Sequence, residues 1–239
     1  MIVAAVPVKG LGQAKQRLAG VLGGAERVAL ARAMLVDVLR AVTAAGLDAV
    51  WVVTRDPEAA AVARGLGAEP LAEDADRGHT SAVAFAQRVA IERGARTFVT
   101  VPGDVPCVTA AEVAALAAAA PAPAAVVFAP SRSGRGTNGV ALSPPDAMPL
   151  TFGEPSFDAH VAAAGARGLA PRVLRLSGLA LDVDDAGDLR ALAETGPRTE
   201  SGRLATAWLE RGLAGVPAAA RPGAPVSGPS AAPYRARAV

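Results

Sequence analysis

The chain has 239 residues, of which 51% are hydrophobic and only 3% aromatic, and its formal net charge is +2. This length and apolar content suit a single α/β domain with one sizeable core, and so small a charge gives no reason to expect a nucleic-acid partner. The longest uncharged run, residues 113–130, is interrupted by Pro121 and Pro123, so we expect no membrane-spanning segment.

The predicted elements alternate between strands and helices along the chain. The first half gives a strand at 2–6, a loop at 10–24, a helix at 26–45, a strand at 49–53, a helix at 57–66, a strand at 69–71, a loop at 74–78, a helix at 80–93 and a strand at 97–101. The second half gives a helix after 109, a strand at 124–129, a loop at 131–138, a strand at 139–142, a helix at 156–168, a strand at 172–176, a helix after 184 or 185 and a helix at 201–213. Such alternation predicts an α/β fold with a doubly wound, mainly parallel sheet.

Local signals support several of these boundaries. Asp56 precedes Pro57, a combination typical of an N-cap and the first helical residue. Thr109 and Glu112 have the spacing of a capping box. Pro, Ala, Gly and Ser dominate residues 214–239, so we predict one domain at 1–213 followed by a disordered tail.

Cysteine and histidine are scarce. The single cysteine, Cys107, excludes an intramolecular disulfide framework and suits a reducing compartment. The first residues carry neither basic side chains nor a cleavage site, so we expect a cytoplasmic protein without a signal peptide. The two histidines are too few for a zinc cluster, and we expect His79 and His160 to be solvated or capping side chains rather than general bases.

Both lysines of the chain, Lys9 and Lys15, lie in one glycine-containing loop, whereas every other basic residue among the 24 is arginine. The loop directly follows the first strand, and ligands of open α/β sheets bind at the carboxyl ends of the strands. Gly10 and Gly12 let backbone N–H groups approach an anion, and Lys9, Lys15 and Arg17 can neutralise a polyphosphate. The alternative is a pair of solvated surface lysines.

Three aspartates predict a magnesium site near this loop. Asp104 leaves the end of a hydrophobic strand between Pro102 and Pro106, which stiffen the segment. Asp182 and Asp184 alternate in an extended segment and therefore project the same way. Neighbouring carboxylates repel unless a cation lies between them, and Mg²⁺ prefers oxygen ligands. The alternatives are an Asx-turn at Asp104 and helix capping by Asp184 or Asp185, although capping leaves Asp182 unexplained.

A glycine pattern at 134–139 reads G-x-G-x-x-G, but a strand and two prolines follow it where a dinucleotide site needs a helix. Thr137 and Asn138 can still hydrogen-bond a small anion. Gly153 and Ser156, at the start of a predicted helix, can complete such a pocket with free backbone N–H groups. The chain also lacks G-x-x-x-x-G-K-[ST], so it is not a P-loop nucleoside triphosphatase.

The order of these segments resembles a known family. Its motifs are matched, from residue 2 to about 192, by 7–9 with 14–18, by 102–106, by 136–138, by 152–153 with 156–157, and by 181–184. Together they resemble the nucleotidyltransferases of glycosyltransferase-A-like fold, and most closely the CofC/FbiD guanylyltransferases of coenzyme F-420 biosynthesis. The resemblance implies a three-layer αβα fold with a mainly parallel sheet.

The resemblance also implies an activity and a set of site residues. GMP would pass from GTP to the phosphate of phosphoenolpyruvate, 3-phospho-D-glycerate or 2-phospho-L-lactate, with release of pyrophosphate and hand-off of the product to a downstream transferase. The family's Mg²⁺-binding aspartates match Asp104, Asp182 and Asp184. The residues that hold the acid's carboxylate match Thr137, Gly153 and Ser156, beside which Asn138 is expected to contribute.

The nucleotide side is less well matched. We expect GTP to contact the residues of the lysine loop and of two later loops, namely Gly10, Gly12, Gly78, Thr80 and Pro102. Many family members carry Gly-Leu-Asn where this chain reads Gly-His-Thr-Ser at 78–81, in the region facing the base. A nucleotidyltransferase using another nucleotide or acceptor, and a non-catalytic nucleotide-binding domain, are therefore the alternatives.

Overall fold

A computed structural model describes residues 1–73, 77–121, 124–153 and 155–211 of the chain. Its strands are β1 Ile2–Pro7, β2 Ala49–Val53, β3 Glu69–Leu71, β4 Thr97–Thr100, β5 Ala125–Pro130, β6 Thr137–Ser143 and β7 Arg172–Val173. Its α-helices are α1 Gly24–Thr43, α2 Pro57–Gly65, α3 His79–Glu92, α4 Ala110–Ala118, α5 Ser156–Gly165, α6 Ser177–Ala180, α7 Ala186–Thr195 and α8 Glu200–Glu210. Most of the predicted 74–78 loop and the whole predicted tail at 214–239 lie outside the described residues.

The described strands form one sheet in the order β3-β2-β1-β4-β6-β5-β7. Strand β6 runs antiparallel to its neighbours β4 and β5, and every other pair is parallel. The prediction of an α/β fold with a mainly parallel sheet is therefore confirmed. Because β6 is reversed, its amino end lies at the same edge as the carboxyl ends of β1 and β4. Residues that follow β1 and β4 thus meet residues that begin β6.

Apolar side chains of the sheet alternate between two helical layers. Ala4 and Val6 of β1 face a cluster that includes side chains of α1, α2 and α4. Val3 and Ala5 face the opposite cluster, formed with α3 and α5. This period of two buries both faces of a central parallel strand. Beyond the first layer, α7 and α8 pack on α1 through a third cluster that includes Trp208.

Most predicted boundaries agree with the structure to within a few residues, and β2 and β3 have the predicted bounds. The predicted strand at 172–176 is reduced to two exposed residues, and 177–180 form the unpredicted helix α6. The cause is tertiary, because Gly178 N donates to Glu112 Oε1 over 2.7 Å and fixes α6 against the start of α4. No helix in the described ranges has both the length and the apolar character needed to cross a membrane.

Candidate active site

The predicted lysine loop and the two aspartate segments meet around the ammonium group of Lys15. Lys15 Nζ lies 2.7 Å from Asp104 Oδ2 and 2.9 Å from Asp184 Oδ1, and the lysine side chain is only 9% exposed. Arg17 is 78% exposed and brings Nη1 to 3.5 Å from Asp184 Oδ2. The fold therefore collects one buried and one exposed cation beside two of the three predicted metal ligands.

The backbone of Lys15 adopts an unusual conformation to reach this position. With φ 57° and ψ 41°, it is the single non-glycine residue of positive φ in the described part of the chain. Two 3-10 turns, Leu11–Gln13 and Gln16–Leu18, flank it, and Leu18 is fully buried beneath the loop. Asp56 Oδ2 accepts the Leu11 amide hydrogen at 2.7 Å, which anchors the loop to the start of α2. A left-handed conformation costs a residue with a Cβ roughly 1 kcal/mol, so these anchors impose the lysine geometry.

Backbone contacts align the two acidic segments. After β4, the chain passes so close to β1 that a Cβ on Gly103 would lie 3.2 Å from Val8 Cγ2. The carbonyl oxygen of Asp104 then accepts a hydrogen bond from Val183 N at 3.1 Å. Since Val183 stands between Asp182 and Asp184, this single bond brings both carboxylates to the Asp104 loop.

The ammonium of Lys15 and the neighbouring carboxylates stabilise each other in their charged forms. Burial alone would lower the pKa of Lys15, but the Asp104 and Asp184 carboxylates raise it above its ordinary value. Burial would likewise raise the pKa of Asp104, but the Lys15 ammonium outweighs it and holds that pKa below the usual range. Burial raises the pKa of Asp182, against a hydrogen bond from Asn138. Lys15 and Asp104 therefore persist as a charged pair at neutral pH.

The three aspartates predicted to bind the metal have suitable ligand atoms, but the structure does not arrange them as a metal site. No group of three or more His, Cys, Asp or Glu side chains is arranged to hold a metal ion within the described ranges. Lys15 lies between Asp104 and Asp184, and Asp182 Oδ1 accepts a hydrogen bond of 3.1 Å from Asn138 Nδ2. The donor set still fits a hard divalent cation, because carboxylate oxygens on adjoining segments already share one positive charge.

A second cluster contains the residues predicted to hold the acid. Thr137 begins β6 and Ser156 begins α5, and their hydroxyl oxygens lie 3.2 Å apart. His160 completes the cluster, with Nδ1 3.0 Å from Thr137 Oγ1. The expectation that His160 is solvated or caps a helix was wrong, because its side chain is only 2% exposed. The missed signal is the spacing of Ser156, His160 and Ala164, which share the buried face of α5.

The remaining predicted acid contacts adjoin this cluster. Asn138 Nδ2 donates to Leu179 O at 2.9 Å as well as to Asp182, so it links the β6 end to the acidic segment. Gly153 has φ +126°, a conformation that disfavours any side chain. Thr80, predicted to contact GTP, accepts the Phe152 amide hydrogen at 2.9 Å and so holds the loop that carries Gly153.

Two cavities open beside the lysine loop and share Lys9, Gly10 and His79. One, of about 410 Å³, continues past Arg55, Asp56, Glu73 and Gly78. The other, of about 530 Å³, continues past Lys15, Pro102, Asp104 and Asp184. Of the predicted GTP contacts, Gly10, Gly78 and Pro102 line these cavities, whereas Gly12 is exposed nearby.

His79 was also expected to be a solvated or capping side chain, and it agrees with that expectation only in part. It begins α3, is half-buried, and contacts Phe152 edge to face with 4.5 Å between the ring centroids. Burial, together with the nearby Lys9 charge, lowers the pKa of His79 against the opposing effect of Asp104. The neutral ring therefore forms a wall of both cavities, and it neither caps a helix nor is fully solvated.

Comparison with known proteins gives concordant matches. The family model described as Guanylyl transferase CofC like matches residues 2–205. The phosphoenolpyruvate guanylyltransferase of Conexibacter woesei is 43% identical over 80% of this chain and 86% of that protein. The 2-phospho-L-lactate guanylyltransferase of Methanothermobacter thermautotrophicus is 36% identical over 83% of this chain and 86% of its own length.

Solved structures support the fold independently. A structure from Desulfovibrio desulfuricans, assigned to the nucleotide-diphospho-sugar transferases, matches 88% of this chain and 98% of its own with a TM-score of 0.72 at 18% identity. A nucleotidyl transferase from Methanothermobacter matches 88% of this chain and 99% of its own with a TM-score of 0.61 at 20% identity. At these identities the likeness is one of architecture, and it agrees with the predicted nucleotidyltransferase fold.

Proposed function

This chain belongs to the CofC-like guanylyl transferase family, and from that premise we propose that it joins the GMP of GTP to phosphoenolpyruvate. It is a guanylyltransferase, acting between GTP and the phosphate of a small phosphorylated acid with release of pyrophosphate. The more similar of the two named relatives carries phosphoenolpyruvate in its name, which favours that acid over 2-phospho-L-lactate. We further propose that a downstream transferase consumes the product in coenzyme F-420 biosynthesis, as the family resemblance implies.

The observation that carries the proposal is the buried Lys15 ammonium at the carboxyl ends of β1 and β4. The acceptor is a phosphate monoester, whose second pKa of about 6 leaves it mostly dianionic at neutral pH. It can attack the α-phosphorus of GTP without a general base, so the neutral His79 beside the cavity need not accept a proton. What the reaction needs is cancellation of charge between two anions, and Lys9, Lys15 and Arg17 offer it around one cavity.

Mg²⁺ is the proposed cofactor, with Asp104, Asp182 and Asp184 as its ligands. When bound it would neutralise phosphate charge and strengthen the leaving tendency of pyrophosphate. The protein residues have their own tasks in this arrangement. Lys15 keeps the carboxylates in place and contributes its charge to the phosphate site, while exposed Lys9 and Arg17 reach the outer phosphates.

We assign the guanine base to the cavity of about 410 Å³ that extends from the lysine loop to α3. Guanine presents adjacent N–H donors on its Watson–Crick edge, which a carboxylate can accept together. Asp56 and Glu73 both line this cavity, and we assign the base contact to their carboxylates.

The acid is proposed to bind at the second cluster. Thr137 and Ser156 offer hydroxyl groups, and the amino end of α5 adds its backbone N–H groups and partial positive charge. Asn138 stands between this cluster and Asp182. The acid's carboxylate would then be held at β6 while its phosphate points toward Lys15, Asp104 and Asp184.

The direct test is pyrophosphate release by the purified protein with Mg²⁺, comparing GTP, ATP, CTP and UTP against phosphoenolpyruvate, 2-phospho-L-lactate and 3-phospho-D-glycerate. We expect release with GTP and phosphoenolpyruvate. Release with GTP and a different acid would contradict the acceptor, and release with a different nucleotide would contradict the guanine assignment. Binding of GTP without any release would instead indicate a non-catalytic nucleotide-binding domain.

A further inference from the structure

The buried imidazole of His160 has a hydrogen-bond partner at each ring nitrogen. Thr151 N donates to His160 Nε2 over 3.0 Å, and His160 Nδ1 lies 3.0 Å from Thr137 Oγ1. The ring stacks on Phe128 with centroids 5.4 Å apart and meets the edge of Phe152 at 5.2 Å. These four contacts fix the ring in one orientation.

The backbone partner determines the tautomer. A peptide N–H can only donate, so Nε2 must present its lone pair to Thr151, and the proton of the neutral ring must lie on Nδ1. Burial lowers the pKa of His160 to about 4, so the ring is neutral at physiological pH. The Nδ1 proton is therefore donated to Thr137 Oγ1.

This donation controls the hydroxyl group of Thr137. Its oxygen accepts from His160 Nδ1 at 3.0 Å and from Ser156 Oγ at 3.2 Å, which uses both of its lone pairs. The hydroxyl hydrogen has no acceptor among the residues that the structure describes, although Thr137 is only 6% exposed. Buried hydroxyl hydrogens rarely lack an acceptor, so this one is available to a ligand.

We propose that His160 is a positioning residue whose Nδ1–H tautomer directs the Thr137 hydroxyl hydrogen toward the carboxylate of the bound acid. In the opposite tautomer, an Nε2 hydrogen would face the Thr151 amide hydrogen. Thr137 would then donate to Nδ1 and turn a lone pair toward the negative substrate. The inference rests on the proposed function, because it takes the phosphorylated acid as the ligand of Thr137.

Two amide substitutions separate the two hydrogen bonds of the ring. In His160→Asn the side-chain NH₂ can occupy the Nδ1 place and donate to Thr137, but nothing reaches the Thr151 amide. In His160→Gln the longer side chain can accept from Thr151, but the donor to Thr137 is lost. A buried amide without an acceptor destabilises the fold, so we expect the Asn variant to have the lower melting temperature.

The variant with the higher melting temperature, His160→Gln, should be the one that binds the acid more weakly. His160→Gln should raise the KM for the acid about tenfold, the scale of one hydrogen bond to a charged group, and leave the KM for GTP within twofold. His160→Asn should keep the acid KM within about threefold of wild type despite its lower melting temperature. If the acid KM instead follows the melting temperature, or is unchanged in His160→Gln, the positioning role is wrong. Wild-type protein that uses no acid at all would refute the proposed function itself.

The tautomer can be measured without any substrate. The chain has two histidines, so ¹⁵N-histidine labelling gives two ring spectra, and the spectrum that remains in His79→Gln belongs to His160. We expect a protonated Nδ1 and an unprotonated Nε2 at neutral pH in wild type. Observation of the Nε2–H tautomer, or of a charged ring, would overturn the inference even if the variants do not fold.

Discussion

Lys15 Nζ lies 2.7 Å from Asp104 Oδ2, although the two residues are 89 positions apart in the sequence. Each follows one of two adjacent parallel strands, β1 and β4, and both strands end at the same edge of the sheet. The contact is therefore a consequence of the topology. It places a charged, mostly buried ammonium beside the proposed phosphate site.

Replacing Lys15 with Ala should weaken GTP binding more than acid binding. The variant loses the buried cation and leaves Asp104 and Asp184 facing each other. We expect the KM for GTP to rise at least about tenfold, the scale of a charge-assisted hydrogen bond, with a smaller change for the acid. Arg93→Ala, which breaks an exposed pair with Glu69, serves as the control and should leave both values unchanged. Equal increases for the two substrates in Lys15→Ala would indicate a structural lysine.

The left-handed backbone at Lys15 makes a separate prediction about stability. Because φ is 57°, Lys15→Gly should have a higher free energy of unfolding than Lys15→Ala, by roughly 0.5–1 kcal/mol. Ala14 has φ −72°, so Ala14→Gly should lower that free energy instead. Urea unfolding of the three variants measures these differences. Equal stability of the two Lys15 variants would show that the loop is not strained at this residue.

His160 should make stability depend on pH below neutrality. Its pKa is lowered by burial to about 4 in the folded chain, against about 6.5 in an unfolded one. As the pH falls, the unfolded chain therefore binds the proton before the folded chain does. The contribution of His160 to the free energy of unfolding is fully present above pH 6.5 and decreases as the pH is lowered toward 4. At pH 4 the protonation of this group lowers the free energy of unfolding by roughly 3 kcal/mol relative to neutral pH.

The contribution of His160 is isolated by comparison with His160→Gln. The difference in the free energy of unfolding between wild type and variant should shrink by about that amount between pH 7 and pH 4. His79 is present in both proteins and its effect cancels. A difference that stays constant with pH would mean that His160 is accessible to protons in the folded state.

Asp37 should support the fold without affecting the reaction. This buried carboxylate of α1 accepts from Glu200 N at 2.8 Å, Ser201 N at 2.8 Å and Ser201 Oγ at 2.7 Å, and so caps the start of α8. Asp37→Asn should lower the free energy of unfolding by about 2 kcal/mol, since an amide cannot accept all three. Both KM values should stay at wild-type levels. A change in either would mean that α8 communicates with the substrate sites.

The sequence predicted the parts of the structure that depend on local patterns. Asp56 and Thr109 cap their helices as expected, because capping involves residues two or three positions apart. The resemblance also grouped Asp104 with Asp184, and the fold brings them together. The sequence did not predict that the chain's own Lys15 neutralises this pair, since that contact depends on the position of one loop over two strands.

Residues that depend on tertiary packing were harder to predict. His160 was expected to be solvated or to cap a helix, yet its place on the buried face of α5 is set by Phe128 and Phe152. The helix α6 likewise depends on a hydrogen bond between Gly178 and Glu112, 66 residues away. The Gly178 contact leaves no mark on the sequence near that residue, whereas the helical spacing of Ser156, His160 and Ala164 was a signal for the burial of His160 that the prediction missed.

The central claim is that guanylyl transfer takes place at the site formed by Lys15, Asp104 and Asp184. Its most direct test is the turnover of Asp104→Asn. Pyrophosphate release from GTP and phosphoenolpyruvate should be measured at saturating substrate, with GTP binding determined in parallel by calorimetry. We predict a turnover at least ~100-fold below wild type while GTP still binds, the scale of losing a main electrostatic element. A reduction smaller than tenfold in a folded variant would contradict the role assigned to Asp104.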